Sequence, residues 1–507
     1  MNNLIQIMDT TLRDGEQTTG VSFNDSEKLS VTRLLLQDVK VDRVEIASAR
    51  VSNGEFNAVK RITEWARKDG FIDKIEILGF VDGMESLNWI NDAGGRVVNL
   101  LCKGSLKHLV GQLRKTPEQH FAEIKEFTEN ASKLGIKVNV YLEDWSNGMR
   151  SSQEYVLDMM DHLSEAKIDR YMLPDTLGIL NPEEAYAFCK QMIDRYPNLN
   201  FDFHAHNDYD LAVANVVGAL RAGIRCFHTT VNGLGERAGN APLSSVIAVV
   251  RDQMKMNTSV DEKKLNKISR LVETFSGIRI PANKPLIGEY VFTQCSGVHA
   301  DGDNKDKLYR NDLIPERFGR QTSYALGKTS GKSNITMNLE TLGLSLDPES
   351  LKKVTQKVID LGDSKETVTI DDLPFIVADV LKSKSISNRI KIQYYVISLS
   401  KGLKPSASIK IDIDDENYQA NSEGDGQYDA FMNALKKIYL KLNKPFPQLL
   451  DYSVSIPPGG RTDALVETVI TWRLNREFKT RGLETDQTTA AIVATEKMLN
   501  VIENGYS

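Results

Sequence analysis

Two periodicities alternate along the first 275 residues. Short runs rich in Ile, Val, Leu, Phe and Tyr recur at Ile5–Asp9, Arg43–Ala47, Ile75–Phe80, Val97–Leu101, Lys137–Glu143, Arg170–Pro174, Asn200–His206 and Cys226–Asn232. Each has the length and composition of a β-strand. Helical stretches lie between them. One opens at Asn24-Asp25-Ser26-Glu27, where short polar side chains can cap backbone N–H groups, and another at Asn181-Pro182-Glu183-Glu184, with proline in the first turn. Eight strand–helix units over about 270 residues predict an α/β fold of the (β/α)8 type, a TIM barrel, spanning residues 1–275. A doubly wound open sheet also alternates, but chemically capable residues end most of these strands, and that favours closure.

The pattern then changes. Residues 276–387 predict small helical accessory subdomains. Cys295–Arg320 is polar and contains Asp301, Asp303, Asp306 and Asp312, whereas Leu342–Leu381 is regularly helical, notably over Leu351–Leu361. The run Lys382–Asn388 reads as a linker. Residues 388–507 form a C-terminal α+β module with a loose internal duplication. Strands at Tyr394–Leu399 and Ala407–Ile413 precede a helix at Tyr428–Leu442; strands at Leu450–Ser455 and Leu465–Leu474 precede a helix at Thr488–Ile502. Turns at Gly424-Asp425-Gly426 and Pro457–Gly460 punctuate the two halves. A duplicated unit offers a small ligand or a twin chain a site on its pseudo-symmetry axis.

Composition narrows the function. Hydrophobic residues make up 41% of the chain and charged residues 26%, an ordinary globular balance. The net charge of -6 provides no overall cationic field, which argues against nucleic acid or an anionic membrane as partner. No uncharged apolar run approaches the ~18 residues that span a bilayer. The N-terminus has no basic, then apolar, signal-peptide pattern. Cys102, Cys189, Cys226 and Cys295 form no C-x-x-C pair, so a sulfur-ligated zinc site is unsupported and a reducing, cytoplasmic setting is expected.

In such a barrel the chemistry sits at the C-terminal ends of the strands. His204 and His206, two apart on one strand, point to the same side and can share a metal ion. Asp14 after the first strand and Asn240 after the eighth can add harder oxygen ligands once the barrel closes, which leaves Mn, Mg, Zn and Co all admissible. Arg13 can orient a carboxylate or offset enolate charge. Glu143, ending the fifth strand, can pair with Arg13 or act as a base, and Thr176 offers a hydroxyl to a substrate carboxylate. The stretch Gly233–Gly239 is spaced G-x-G-x-x-x-G, one residue too long for a dinucleotide fingerprint, and its expected task is to deliver Asn240 to the metal. His299 stands alone outside the barrel, and His108, His120, His162 and His228 show no comparable grouping.

Asp9–Gln17 (DTTLRDGEQ), Phe203–Asn215 (FHAHNDYDLAVAN), Asn232–Leu243 (NGLGERAGNAPL) and Ser296–Gly302 (SGVHADG) together resemble the signatures of the enzymes that condense an acyl-CoA with a 2-keto acid: the 2-isopropylmalate, homocitrate and citramalate synthases. The resemblance runs over essentially the whole chain. It implies a divalent metal on Asp14, His204, His206 and Asn240, and a keto-acid site lined by Arg13, Glu143 and Thr176. It implies catalytic parts for His299 and Tyr309 from the accessory segment and a substrate-binding place for Asp301. It also implies a homodimer and a regulatory tail. Leu78, Leu101 and Tyr141, with the run Val41–Ser52 (VDRVEIASARVS), resemble the citramalate synthase subgroup, whose substrates are acetyl-CoA and pyruvate. Lys307 departs from that subgroup, which carries a neutral residue there. A pocket of these three residues suits the methyl of pyruvate and crowds an isopropyl group. Isoleucine is then the expected feedback inhibitor, near Tyr428, Asp429, Tyr452 and Pro458. The alternatives are a 2-isopropylmalate synthase acting on 2-ketoisovalerate, a retro-aldol lyase on the same metal barrel and, remotely, a binding scaffold.

Overall fold

The computed structural model describes residues 4–309, 311–342, 344–363, 368–381, 389–455 and 466–505 of the chain. The eight strands are β1 (Leu4–Asp9), β2 (Arg43–Ser48), β3 (Ile75–Phe80), β4 (Val97–Lys103), β5 (Lys137–Glu143), β6 (Arg170–Asp175), β7 (Phe201–Ala205) and β8 (Cys226–Thr229). They are parallel and follow sequence order, and β1 pairs with both β2 and β8, so the sheet closes. The predicted helix starts are capped as their residues require: Asn24 and Asn181 each accept from the backbone three residues on, and Glu27 and Glu184 reciprocate.

Alternation along each strand layers the barrel interior. Near the strand starts lies a charged layer. Arg43 donates to Glu76 at 2.7 Å, to the Cys226 sulfur at 2.9 Å, and also to Asp202. Arg170 donates to Asp202 at 3.0 Å and to Gln6 at 2.7 Å. Two guanidinium groups facing two carboxylates let the layer be buried without an unpaired charge. Two residues further along three of these strands, Met8, Leu78 and Met172 pack with Tyr141, and Phe80 and Leu101 lie against them. The strand ends above this apolar layer carry the site.

One buried cation ties the segments bearing that site together. Lys28, fully buried in the helix Asp25–Arg33, places its Nζ 2.7 Å from both Glu16 and Glu55, and donates to the carbonyls of Leu12 at 3.1 Å and Ile46 at 3.3 Å. It thereby joins the loop after β1 to the end of β2.

His120 lies buried on the helix Pro117–Lys133 and accepts from the Lys103 backbone N–H at 3.1 Å. Burial pushes its imidazole from 6.5 down to about 4. Between those values the unfolded chain binds a proton that the folded chain refuses, so stability falls as pH drops through that window. His120→Gln keeps an acceptor and removes the titration. The loss in Tm between pH 7 and pH 5 should therefore be smaller in the variant; an equal loss in both proteins would contradict this origin.

The chain forms two compact units, Met1–Phe292 with Asn311–Thr322, and Thr293–Arg310 with Ser323–Ser507. In the second unit the accessory helices are Gly297–Asp306, Lys332–Thr341, Pro348–Asp363 and Leu373–Leu381. The expected linker 382–388 lies outside the described residues. The C-terminal duplication holds with one correction: each half has three strands before its helix. The first runs Ile390–Ser398, Ser406–Ile413, Glu416–Glu423 and helix Gln427–Lys441; the second runs Gln448–Ser455, Val466–Arg473, Glu477–Glu484 and helix Gln487–Glu503. Each sheet is antiparallel, with its strands in sequence order. The extra strands were hidden because ENYQANSE and EFKTRGLE contain no apolar run. Their pairing is set instead by hairpins, the first turning through Asp414 and Asp415 at φ 51° and 67°.

Candidate active site and metal centre

Asp14 stands in the loop after β1 and is 2% exposed. Its carboxylate faces Arg13 Nη1 at 3.0 Å and His204 Nε2 at 3.4 Å, and accepts from Asn240 Nδ2 at 2.9 Å. Asp14, His204 and His206 can all offer ligand atoms lying within 4.8 Å of one another, and among the described residues no other such His/Cys/Asp/Glu group occurs. Burial would raise the Asp14 carboxyl, but Arg13 and His204 hold it well below the usual carboxylate range. Burial takes the His206 imidazole down to about 4, so its ring is neutral at pH 7 and keeps a lone pair for a metal.

Asn240 completes the set. The backbone of His206 and Asn240 forms an isolated antiparallel bridge, and Asn240 Nδ2 also donates to the Leu234 carbonyl at 3.1 Å. Its Oδ1 is buried and has no hydrogen-bond partner. A buried amide oxygen left unpaired is costly unless something coordinates it. One carboxylate, two imidazoles and this oxygen fit a divalent cation. The glycine-rich stretch makes the placement possible: Gly235 and Gly239 have φ of 151° and 82°, and a Cβ on either would overlap the Asn240 amide or the Gly233 carbonyl.

Arg13 does not pair with Glu143. Its Nε donates to Glu45 of β2 at 2.7 Å, its Nη1 faces Asp14, and its Nη2 reaches Tyr141 Oη at 3.4 Å. Glu143 is paired with Lys103 of β4, its direct neighbour in the β4–β5 register. The expected Arg13–Glu143 pair fails because Glu45 and Asp14 already take the guanidinium from two sides. Thr176 Oγ1 accepts from the Asp144 N–H at 2.9 Å, which leaves its proton to donate. Arg237 braces this rim, bound to Asp208 at 2.7 Å and to the Thr176 carbonyl at 2.8 Å.

Leu78, Leu101 and Tyr141 come together, with Met8, Met172 and Phe80 as further members of the same cluster. The Tyr141 ring lies edge-on to His204 at 6.0 Å between centroids, so the apolar layer abuts the candidate metal ligands. Two residues of this centre escaped the sequence. Glu45 is fully buried and accepts from Arg13, from Thr10 Oγ1 at 2.6 Å and from Asn99 Nδ2 at 2.8 Å. His228, read as ungrouped, packs its ring 5.4 Å from that of His204 and lies 3.0 Å from Tyr141 Oη. A lone Glu in RVEIAS and a lone His in CFHT carry no motif; their inward register on β2 and β8 was the only signal.

His299, Asp301 and Tyr309 belong to the second unit, where the His299 and Tyr309 rings stand 4.2 Å apart. Tyr428 and Tyr452 also meet there, at 5.5 Å between centroids, and Tyr428 Oη lies 2.6 Å from Thr495 Oγ1. Asp429 accepts from the Asp425 N–H at 2.9 Å, closing its own turn. Pro458 lies outside the described residues.

Comparison with known proteins gives three successive matches. Residues 4–272 match the HMGL-like family, 286–366 the homocitrate synthase post-HMGL domain-like family, and 367–503 the LeuA allosteric (dimerisation) domain. A putative (R)-citramalate synthase of Methanopyrus kandleri is 34% identical over 92% of this chain and 90% of its own. A probable 2-isopropylmalate synthase of the same organism is 33% identical over 99% of this chain and 98% of its own. The solved HMG-CoA lyase of Bacillus subtilis, 22% identical with a TM-score of 0.50, covers 57% of this chain and 98% of its own, and shares the fold. Among the described residues no helix is long and apolar enough to cross a membrane.

Proposed function

The chain belongs to the HMGL-like family and is an acyltransferase-type condensing enzyme, and from that premise we propose that it joins acetyl-CoA, pyruvate and water into (R)-citramalate and free CoA. The relatives divide between two keto acids at nearly equal identity, so their names do not choose between them. The observation that carries the choice is the apolar layer of Leu78, Leu101 and Tyr141 beside His204. On this reading these three side chains make a small apolar pocket that suits the methyl of pyruvate and would crowd an isopropyl group.

A divalent metal on Asp14, His204, His206 and Asn240 would supply Lewis acidity toward the keto carbonyl. Arg13, fixed by two carboxylates, offsets charge on the pyruvate side. Thr176 donates its free hydroxyl proton to the pyruvate carboxylate. Glu143 takes a proton from the acetyl methyl, with Lys103 beside it to hold its carboxylate in place. His299 and Tyr309 act at the thioester, and Asp301 contributes to substrate binding. Residues 388–507 serve as a regulatory and dimerisation domain that binds isoleucine near Tyr428, Asp429 and Tyr452, in a cytoplasmic homodimer.

A thiol-release assay with a panel of keto acids tests this. Pyruvate should exceed 2-ketoisovalerate in kcat/KM by about tenfold or more, the scale at which pocket fit discriminates added methyl groups. A reversed order would make the enzyme a 2-isopropylmalate synthase, and net cleavage of a hydroxyacyl-CoA without condensation would make it a lyase. Isoleucine should slow thiol release, and removing residues 389–507 should abolish that response; leucine as the effective inhibitor would go with the 2-isopropylmalate reading.

A further inference from the structure

Tyr141 and His228 project from β5 and β8, three strands apart around the barrel, and meet inside it with 2% and 1% exposure. Three acceptors or donors surround the phenol: His228 Nδ1 at 3.0 Å, Glu45 Oε2 at 3.4 Å and Arg13 Nη2 at 3.4 Å. The proton positions follow from the far end of the chain. Asp202 receives hydrogen bonds from both Arg43 and Arg170, which keeps it an anion. His228 Nε2 faces that anion at 3.3 Å, so Nε2 carries the hydrogen. In the neutral ring Nδ1 is then a lone pair, and the Tyr141 hydroxyl must donate to it. Placing the proton toward Glu45 instead would require Nδ1–H and would turn the Nε2 lone pair against the Asp202 carboxylate. Tyr141 therefore has no hydrogen left for substrate. It presents its ring to the apolar layer, accepts from Arg13, and is pinned from behind.

We propose that His228 is a positioning residue that sets keto-acid selectivity by locking the Tyr141 ring as the wall of the pocket, an inference that rests on Tyr141 lining the keto-acid site. Without the lock the ring can turn about its side-chain bonds and the pocket admits a longer chain.

Two substitutions separate the two ends of the imidazole. In His228→Asn the amide oxygen takes the Nδ1 place and still accepts from Tyr141, while the bond to Asp202 is lost. In His228→Gln the amide N–H reaches Asp202, while the bond to Tyr141 is lost. The ratio of kcat/KM for pyruvate to that for 2-oxobutanoate should fall about tenfold in the Gln variant and stay within about twofold in the Asn variant. Equal behaviour of the two, or an unchanged ratio in the Gln variant, would overturn the proposal. Tyr141→Phe should loosen the ratio to the same degree and add nothing to His228→Gln, and it decides the matter if neither His228 variant folds. Nitrogen-15 spectra of the labelled full chain read the lock without turnover, with His228 identified by the signal missing from a variant. They should show Nδ1 bare and Nε2 protonated, and the opposite tautomer would refute the lock. A parent enzyme that uses no pyruvate would overturn the preceding reading while leaving this tautomer test standing.

Discussion

Asp14→Asn is expected to cost at least about a hundredfold in divalent-metal affinity, at or beyond what loss of a ligand's supporting partner costs, and to lower kcat/KM by about a thousandfold or more. The substitution is nearly isosteric, so its effect is one of charge. Asp14 is the anion in a cluster that otherwise consists of two imidazoles and an amide, and a cation held by neutral ligands alone lacks its main electrostatic attraction. The amide also breaks the hydrogen-bond pattern: where Asp14 accepts from Asn240 Nδ2 at 2.9 Å and faces Arg13 at 3.0 Å, asparagine has one oxygen for two donors. Titration with Mn2+ followed by electron paramagnetic resonance reads the affinity, and thiol release reads the rate. Tight Mn2+ binding in the variant would remove Asp14 from the ligand set and with it the proposed centre.

What the sequence made legible follows from what closure does. The barrel strands and the residues at their ends could be read because each strand is a short apolar run, most of them ending in chemically capable residues, and two residues apart on one strand share a face. The convergence of Asp14, Asn240 and the two histidines needs only the closure of β1 against β8. Glu45 and His228 required more. Each is one ionisable residue in a short buried strand segment that carries no motif, and its meaning depends on what faces it across the barrel, which strand order alone does not specify. The Arg13–Glu143 expectation went wrong on the same point. Position at a strand end says that two groups share a rim, whereas register decides that Lys103 stands directly beside Glu143. The third strand of each C-terminal repeat was missed for a different reason: in Glu416–Glu423 backbone pairing with Ser406–Ile413 fixes the strand, and only Tyr418 and Ala420 mark its core-facing side.

Glu45→Gln is the second substitution expected to have a large effect, and it tests the part of the centre the sequence concealed. Burial would raise the Glu45 carboxyl, but the Arg13 charge overrides it and keeps it below the usual range. Both oxygens are committed. Oε2 accepts from Arg13 Nε and Thr10 Oγ1, and Oε1 accepts from Asn99 Nδ2, whose own Oδ1 accepts from Asn139 Nδ2 at 2.9 Å. A glutamine must turn its NH2 toward one of these sets of donors. Turned toward Arg13, it removes the partner that aims the guanidinium. Turned toward Asn99, it forces that amide to flip, and the conflict passes to Asn139. Either way Arg13 keeps one carboxylate where it had two, and a buried charge loses part of its compensation at a cost of about 3–5 kcal/mol. Turnover should fall by about 10²–10³, the range seen when one stabilising donor loses its aim. Because Arg13 is proposed to face the keto acid, the fall should appear in kcat/KM for pyruvate, with Mn2+ affinity changed far less than in Asp14→Asn. A variant with parental kcat/KM would show that Glu45 merely fills the barrel and that Arg13 needs no second carboxylate to act.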